Sequence, residues 1–399
     1  MRPGMRPLRV AMLTYSLRPR GGVVHALEVS EALRRRGHDV VLMALGPPGE
    51  HFFRPPSVPS RIVRYQGIDA PFDERIMAML AAYRDGLAGP LADGRFDLIH
   101  AQDCLSANAA VELRDRGVIP HVIRTVHHLD DFTSRSLIEC QNRSILGPDA
   151  LLCVSEPWVE RLRREYGVGA RVVRNGVDTR RYRPSRDASE RRRDRHAFDL
   201  GEHFTVLAIG GIEPRKGSLT LLDGFARLRE DAPELDARLV VAGGATLFDY
   251  RHEVDRFRAR VAELGVGHAV RVLGTLADWE IERLYRAADA FAFPSTKEGF
   301  GLAALEALAS GLPVVASDLD ALTTFLADDR TALLVGIGDS EALGAALARL
   351  GRDESIRRRL RANGLRVAAD YTWNRGAIEH ERVYRELSVS LEAVGTRSV

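Results

Sequence analysis

Short apolar runs, each long enough for one buried strand and each followed by a helical pattern, recur along this chain and constrain its fold more than any other feature. The runs at 10–13, 40–43, 97–100, 121–126, 150–154 and 171–173 are predominantly apolar without polar alternation. Such a strand is covered on both faces, which is the condition of a parallel sheet flanked by helices. Between the first two runs Ala26, Val29 and Leu33 repeat at helical spacing. Arg34, Arg35 and Arg36 before Gly37 then close that helix, so the triple arginine needs no ligand. A second series runs through 204–209, 238–241, 270–273, 290–293, 313–316 and 332–335. Strand and helix alternate throughout, so the fold class is α/β and doubly wound. Ligands of such sheets bind outside the carboxyl ends of strands.

Between the two series the stretch 184–203 breaks the pattern, and 185–196 within it is almost wholly polar. It reads as an interdomain connection with a short solvated helix, its Arg191-Arg192-Arg193 facing water. The last ~30 residues look helical, with no strand after them. A length of 399 residues suits two or three domains with ample cores. The formal net charge of +2 argues against a nucleic-acid binder working by bulk electrostatics. Cys104, Cys140 and Cys153 are too few and too widely spaced for a disulfide framework or a zinc site, which points to a reducing cytoplasm. The N-terminus superficially resembles a signal peptide, but its apolar stretch is short and is followed by Arg18 and Arg20, so a first buried strand is expected. No stretch approaches the ~20 apolar residues that span a bilayer. Peripheral membrane contact stays open.

The densest chemistry lies in 295–306, Ser-Thr-Lys-Glu-Gly-Phe-Gly-Leu-Ala-Ala-Leu-Glu, after the apolar run at 290–293 and Pro294. A strand, a turn and a helix through Ala309 are expected, closed by Gly311 and Pro313. Gly299 and Gly301 remove Cβ atoms where the helix begins, so backbone N–H groups there can approach an anion. Yet the same turn carries Glu298, and Glu306 follows eight residues later. A carboxylate beside an anion site needs another task, and accepting hydrogen bonds from hydroxyls supplies one. A nucleotide sugar carries both groups. The plain alternative is a capped surface helix with ordinary acidic residues.

The turn at 210–217 follows a strand and carries Gly210, Gly211, Arg215, Lys216 and Gly217. Arg215 and Lys216 stand where an anionic ligand would lie, able to offset charge on a departing diphosphate. Neither a Walker motif nor a dinucleotide fingerprint is present. In the first half, Gly21 and Gly22 can bring amides to a phosphate, and His127 ends a strand, suited to one polar sugar contact. Asp318 and Asp320 form a D-x-D pattern that reads as structural, and no metal-ligand spacing stands out.

Taken together, Gly21-Gly22, Gly37-His38-Asp39-Val40, Thr125-Val126-His127, Arg174-Asn175-Gly176-Val177-Asp178, Arg215-Lys216-Gly217, Pro294-Ser295, Glu298-Gly299-Phe300-Gly301-Leu302 and the run from Glu306 to Val315 resemble, over nearly the whole chain, the retaining family-4 glycosyltransferases of GT-B architecture. The pair Glu298 and Glu306 forms the family's E-x7-E signature. The resemblance implies two Rossmann-like domains facing each other across a cleft: an acceptor-side domain at 1–185, a nucleotide-sugar domain at 186–366, and a helical segment at 367–399 that returns to the first domain. It implies a metal-independent hexosyltransferase with a UDP-, GDP- or ADP-sugar donor, no cofactor, and a small-molecule, lipid or glycan acceptor. Glu298 would hold donor sugar hydroxyls, Phe300, Gly301 and Leu302 would offer amides, and Glu306 would hold the ribose. Lys216 would contact the diphosphate, Gly22 the phosphate and His127 the donor sugar. Departures are Gly211, where the family usually has arginine and for which Arg215 is the candidate replacement, and Asp320-Ala321 with Thr323-Thr324, where it usually has Gly-Gly and Pro-Glu. A nucleotide-sugar epimerase or phosphorylase on the same fold, and a non-catalytic binding protein, are the alternatives.

Overall fold

The computed structural model describes residues 6–244 and 250–395, with side chains as far as Leu387. Residues 1–5, the start of the stretch compared with a signal peptide, lie outside the described residues. The chain opens with β1 (Arg9–Thr14), α1 (Gly21–Arg35), β2 (Asp39–Gly46), β3 (Ser60–Arg64), α2 (Phe72–Gly94), β4 (Leu98–Ala101) and α3 (Cys104–Asp115). It continues with β5 (Val122–Val126), α4 (Arg135–Leu146), β6 (Ala150–Cys153), α5 (Glu156–Tyr166), β7 (Arg171–Val172) and α6 (Ala188–Ala197). Then follow β8 (Thr205–Ile209), α7 (Ser218–Asp231), β9 (Arg238–Ala242), α8 (Arg251–Glu263), β10 (Val270–Gly274), α9 (Asp278–Ala287) and β11 (Ala290–Phe293). The chain closes with α10 (Leu302–Ala309), β12 (Val314–Ser317), α11 (Asp320–Thr323), β13 (Leu333–Val335), α12 (Ser340–Arg352), α13 (Glu354–Asp370) and α14 (Trp373–Gly395).

These elements form two compact units. Unit 1 runs to Asn175 and takes up the chain again from Trp373; unit 2 is Gly176–Thr372. In unit 1 the sheet order is β3-β2-β1-β4-β5-β6-β7, and in unit 2 it is β10-β9-β8-β11-β12-β13. Every pairing in both sheets is parallel. Val10, Ala11, Met12 and Leu13 of β1 are fully buried, as a strand covered on both faces requires. Val10 pairs with Val40 of β2 on one side and Leu98 of β4 on the other. Each sheet therefore reverses its order once, between β1 and β4 in unit 1 and between β8 and β11 in unit 2. Loops after those strands splay to opposite sides and leave a crevice at the strand ends.

Two elements carry no clear sequence signal. Strand β3 sits at the sheet edge, and of its five residues only Val63 is buried, so it lacks an apolar run. The helical sequence pattern of α2 is broken by Gly86, Gly89 and Pro90, yet the helix runs through them. A Cβ at Gly86 would fall 2.3 Å from a Val63 methyl, so glycine lets the helix lie close on that strand. The Tyr83 hydroxyl ties the same helix to the sheet at the Thr14 and Met43 carbonyls, 2.9 Å each.

The stretch at 184–203 is not a solvated connection. Its helix α6 belongs to unit 2 and packs on α9. Asp194 and Arg195 are buried, although the segment reads as polar throughout. Asp194 receives Arg283 at 2.7 Å and Arg286 at 2.8 Å, while Arg195 and Arg191 both reach Asp289. Arg192 and Arg193 are exposed, as expected; Arg191 is not. Paired charges bury this face, and a hydrophobic period cannot reveal that. Arg181 likewise pairs with Asp278 and Glu282 of unit 2. The first boundary thus falls after Asn175 where 185 was expected. The second falls after Thr372 where 366 was expected, because α13 packs on α10. Val177 and Thr372 form a parallel bridge where the chain enters and leaves unit 2.

Helix α14 packs on α1 within unit 1, burying Trp373, Ala377, His380 and Tyr384. The three cysteines are free thiols, with Cys104 and Cys140 brought to 3.2 Å between sulfurs. Among the described residues no helix is long and apolar enough to cross a membrane.

Removing Asp194 leaves the buried Arg286 guanidinium without its carboxylate. Asp194→Ala should lower unfolding free energy by about 3 kcal/mol in chemical denaturation. The exposed Arg192→Ala should change it by less than about 0.5 kcal/mol. Equal effects would mean that α6 is the solvated linker it resembles.

Candidate active site

In unit 2 the loops after β8 and β11, the two strands flanking the order reversal, are fastened to each other. Gly217 has φ +64°, and a Cβ there would lie 2.0 Å from the Pro294 carbonyl oxygen. Only glycine lets the backbones approach so closely. The Thr296 N–H donates to the Arg215 carbonyl at 2.8 Å. Pro214–Lys216 forms a single 3-10 turn, and this short turn presents Arg215 and Lys216 side by side.

Both cations meet Glu298. Lys216 Nζ donates to Glu298 Oε1 at 2.7 Å and Arg215 reaches the same oxygen at 3.3 Å. Arg215 also reaches Glu213 at 3.2 Å and the Lys297 carbonyl at 3.4 Å. Lys216 Nζ lies 4.8 Å from the Phe293 ring centre. The Glu298 side chain is only 9% exposed. Burial opposes its ionisation, but the Lys216 and Arg215 charges together outweigh burial and hold the carboxyl below its ordinary value. Lys216 and Lys297 are the only lysines in a chain of 57 Lys and Arg residues, and they stand in these two loops. Elsewhere arginine supplies the positive charge.

Helix α10 begins at Leu302 with Gly301 as its N-cap, in the left-handed region at φ +98°. A Cβ on Gly301 would fall 2.3 Å from Leu322 Cδ2. No side chain caps this end, so the start of α10 at Phe300, Gly301 and Leu302 keeps the anion-binding character of a helix N-terminus. The Phe300 side chain is buried and stacks on Phe325 at 5.1 Å, which leaves its backbone to the site. Glu306, part-buried on α10, accepts from the Tyr285 hydroxyl at 3.1 Å. Burial pushes its carboxyl up to about 8, and hydrogen bonds from Tyr285 and Tyr182 and the Arg181 charge pull it only part of the way back. The two glutamates of the motif thus differ in character: Glu298 is held as an anion by cations, Glu306 is enclosed by tyrosines.

Gly211 packs against backbone: a Cβ on Gly243 would fall 2.8 Å from the Gly211 nitrogen. Asp320 opens the one-turn helix α11 and Asp318 is exposed. Among the described residues no group of three or more His, Cys, Asp or Glu is placed to hold a metal ion.

In unit 1, Gly21 and Gly22 form the first turn of α1, not a loop before it. A Cβ on Gly22 would lie 3.2 Å from the His127 ring and 3.5 Å from the Gln102 carbonyl. His127, after β5, and Gln102, after β4, are joined by a 3.0 Å contact between Nε2 and Oε1. Gly22, Gln102 and His127 thus meet at the strand ends beside the order reversal of this sheet. His25, buried on α1, packs its ring edgewise on His127 at 4.9 Å. Burial drives the His127 imidazole down to about 3, aided by the nearby His128 and His100, so it is neutral at physiological pH.

Sequence reasoning missed Gln102, Tyr182 and Tyr285. Gln102 follows the apolar run at 97–100 by two residues, much as His127 follows the run at 121–126. The tyrosines lie far from Glu306 in sequence, and only packing brings them to it.

Comparison with known proteins bears directly on this geometry. Residues 190–367 match the glycosyl transferases group 1 family, and residues 19–181 match glycosyltransferase family 4. A D-inositol 3-phosphate glycosyltransferase of Corynebacterium glutamicum is 30% identical over 401 residues, 95% of this chain and 87% of the relative. The chain belongs to glycosyltransferase family 4. A second relative of this glycosyltransferase, the D-inositol 3-phosphate glycosyltransferase of Stackebrandtia nassauensis, is 31% identical, covering 93% of this chain and 90% of its own. Among solved structures, Anabaena HepE in complex with UDP and glucose superposes with a TM-score of 0.80 at 18% identity, covering 95% of this chain and all of its own. The sucrose-phosphate synthase of Thermosynechococcus elongatus gives 0.81 at 24% identity, covering 96% of this chain. These likenesses establish the GT-B fold.

Glu306 generates a stability prediction. Its carboxyl is protonated in the folded protein up to about pH 8, whereas an unfolded carboxyl ionises near the ordinary 4.5. Folding therefore takes up a proton between those values, and the stability held at low pH is lost as pH rises through 8. A glutamine cannot ionise. Relative to the parent, Glu306→Gln should gain thermal stability from pH 5.5 to pH 8.5, by about 2–4 °C per kcal/mol. A difference independent of pH would show that Glu306 ionises normally.

Proposed function

We propose that this glycosyltransferase moves a sugar from a nucleoside diphosphate sugar to a hydroxyl acceptor with retention of anomeric configuration, and that the site at the strand ends of unit 2 binds the donor. The observation that carries the reading is Glu298: a buried carboxylate kept ionised by Lys216 and Arg215 beside the uncapped start of α10. That arrangement pairs anion-binding groups with a hydroxyl acceptor in one small site.

In this reading Lys216, Arg215 and the amides of Gly299, Phe300, Gly301 and Leu302 hold the diphosphate. Gly211 gives the backbone room beside it. Glu298 accepts from sugar hydroxyls and Glu306 from the ribose. In unit 1, Gly21 and Gly22 present first-turn amides of α1 suited to a phosphate, and His127 presents a ring suited to a sugar hydroxyl. The bond between the anomeric carbon and the diphosphate oxygen breaks with both electrons leaving on the phosphate. The acceptor oxygen bonds to the same face of that carbon, and its proton passes to the departing phosphate oxygen. Lys216 and Arg215 stabilise the charge that develops there. No metal and no cofactor take part.

UDP is the first donor nucleotide to try, because HepE was solved with UDP and with UDP-glucose. The relatives are named for D-inositol 3-phosphate, which makes that compound the first acceptor to test.

The scarcity of lysine makes the site directly readable. An amine-reactive reagent should label Lys216 and Lys297, and a nucleoside diphosphate should protect Lys216 in peptide mass spectra. Glu298→Ala should fold normally yet lose roughly 100-fold or more in transfer. Labelling unaffected by any nucleotide, or a Glu298→Ala enzyme with full turnover, would contradict the assignment.

A further inference from the structure

Gln102 is buried at the end of β4, and its amide makes three contacts. Nε2 lies 2.9 Å from Met12 Sδ and 3.2 Å from His100 Nε2, and Oε1 lies 3.0 Å from His127 Nε2. A thioether has no proton to give, so the N–H end of the amide faces Met12. The carbonyl end is left for His127, and a carbonyl only accepts. His127 Nε2 therefore carries the proton.

The same logic extends away from the site. The second Gln102 N–H is given to His100 Nε2, which is an acceptor. The Thr125 hydroxyl, 2.8 Å from that nitrogen, can turn its proton toward the same lone pair or away from it, so it places no demand for a proton on Nε2. His100 then holds its own proton on Nδ1, 2.6 Å from the Tyr384 hydroxyl. Tyr384 is fully buried on α14, 284 residues away in the chain. A continuous line of side chains thus runs from the C-terminal helix through His100 and Gln102 to His127, all within unit 1. Gly22 on one side and His25 on another limit how far the His127 ring can turn.

We propose that Gln102 is a positioning residue that fixes His127 in its Nε2–H tautomer, so that Nδ1 presents a lone pair to a donor-sugar hydroxyl. The inference rests on the assignment of His127 to the sugar. An imidazole with its proton on Nδ1 would offer a donor to that hydroxyl in place of an acceptor. Burial of both rings, which pushes His100 well down and His127 to about 3, keeps them neutral, as a tautomer relay needs. The charges facing His127 are Arg124 and His128 of its own segment, with His25, His100 and His380 from the elements packed against it.

Nitrogen-15 NMR of the histidine rings in the full-length protein reads the tautomer without any substrate. At pH 7 the His127 signal, assigned by its loss in His127→Asn, should show protonated Nε2 and unprotonated Nδ1. Gln102→Leu should convert it to a mixture of tautomers and lower kcat roughly tenfold or more while KM for the donor changes little. Gln102→Glu keeps an acceptor at His127, so it should preserve the Nε2–H form, recover much of the lost kcat, and move the acidic limb of the pH profile upward through its added negative charge. A parent enzyme with the His127 proton on Nδ1 would overturn the proposal, whatever the variants do. So would a folded Gln102→Leu protein with unchanged tautomer and kcat. If no nucleotide sugar is transferred at all, the functional assignment fails, and the tautomer is still decided by the spectrum.

Discussion

A buried carboxylate keeps its charge where cations stand close enough to offset lost hydration, and the second unit of this enzyme is arranged to meet that condition at Glu298. The residue follows β11, and its partners Lys216 and Arg215 follow β8. The two strands are neighbours at the point where the sheet reverses its order. Gly217 lets the two loops touch, and Gly301 turns the chain directly into α10 beyond them. Sheet order, two glycines and one ion triad therefore place charge, hydroxyl acceptor and helix amides together. Moving any one of them separates the anion-binding groups from the carboxylate.

Glu306 follows the opposite physics eight residues later. Its carboxyl meets tyrosine hydroxyls and is raised by burial, so the motif presents one fixed anion and one group whose charge depends on its surroundings. Hydrogen bonds donated to Glu306 favour its ionised form, so under the proposed ribose contact nucleotide binding would be coupled to proton release at this residue. The buried histidines of unit 1 are kept neutral for the same reason, and their hydrogen bonds carry tautomer information in place of charge.

Much of this was legible in the sequence because parallel strands covered on both faces announce themselves as unbroken apolar runs. Twelve such runs were read, and each corresponds to a strand; β3, a polar edge strand of two arginines, a serine and only two apolar residues, was not. The region from 184 to 203 was misread for a related reason: α6 is buried by arginine–aspartate pairs, and hydrophobic periodicity is blind to them. At the site, glycines and charged residues just after apolar runs stood out. Partners contributed from distant segments, such as Tyr182 and Tyr285 on Glu306, left no local trace. Arg215 was named as the candidate replacement for the arginine absent at Gly211, and the fold places its guanidinium on Glu298.

In the proposed reading Glu298 serves the sugar, and the surrounding cations and amides serve the diphosphate. Calorimetric titration of UDP and of UDP-glucose into the parent enzyme and Glu298→Ala separates the two parts. The substitution should leave UDP affinity within a few-fold and abolish whatever additional affinity the sugar confers. Equal loss for both ligands, or an undiminished preference for the sugar-bearing donor, would contradict it.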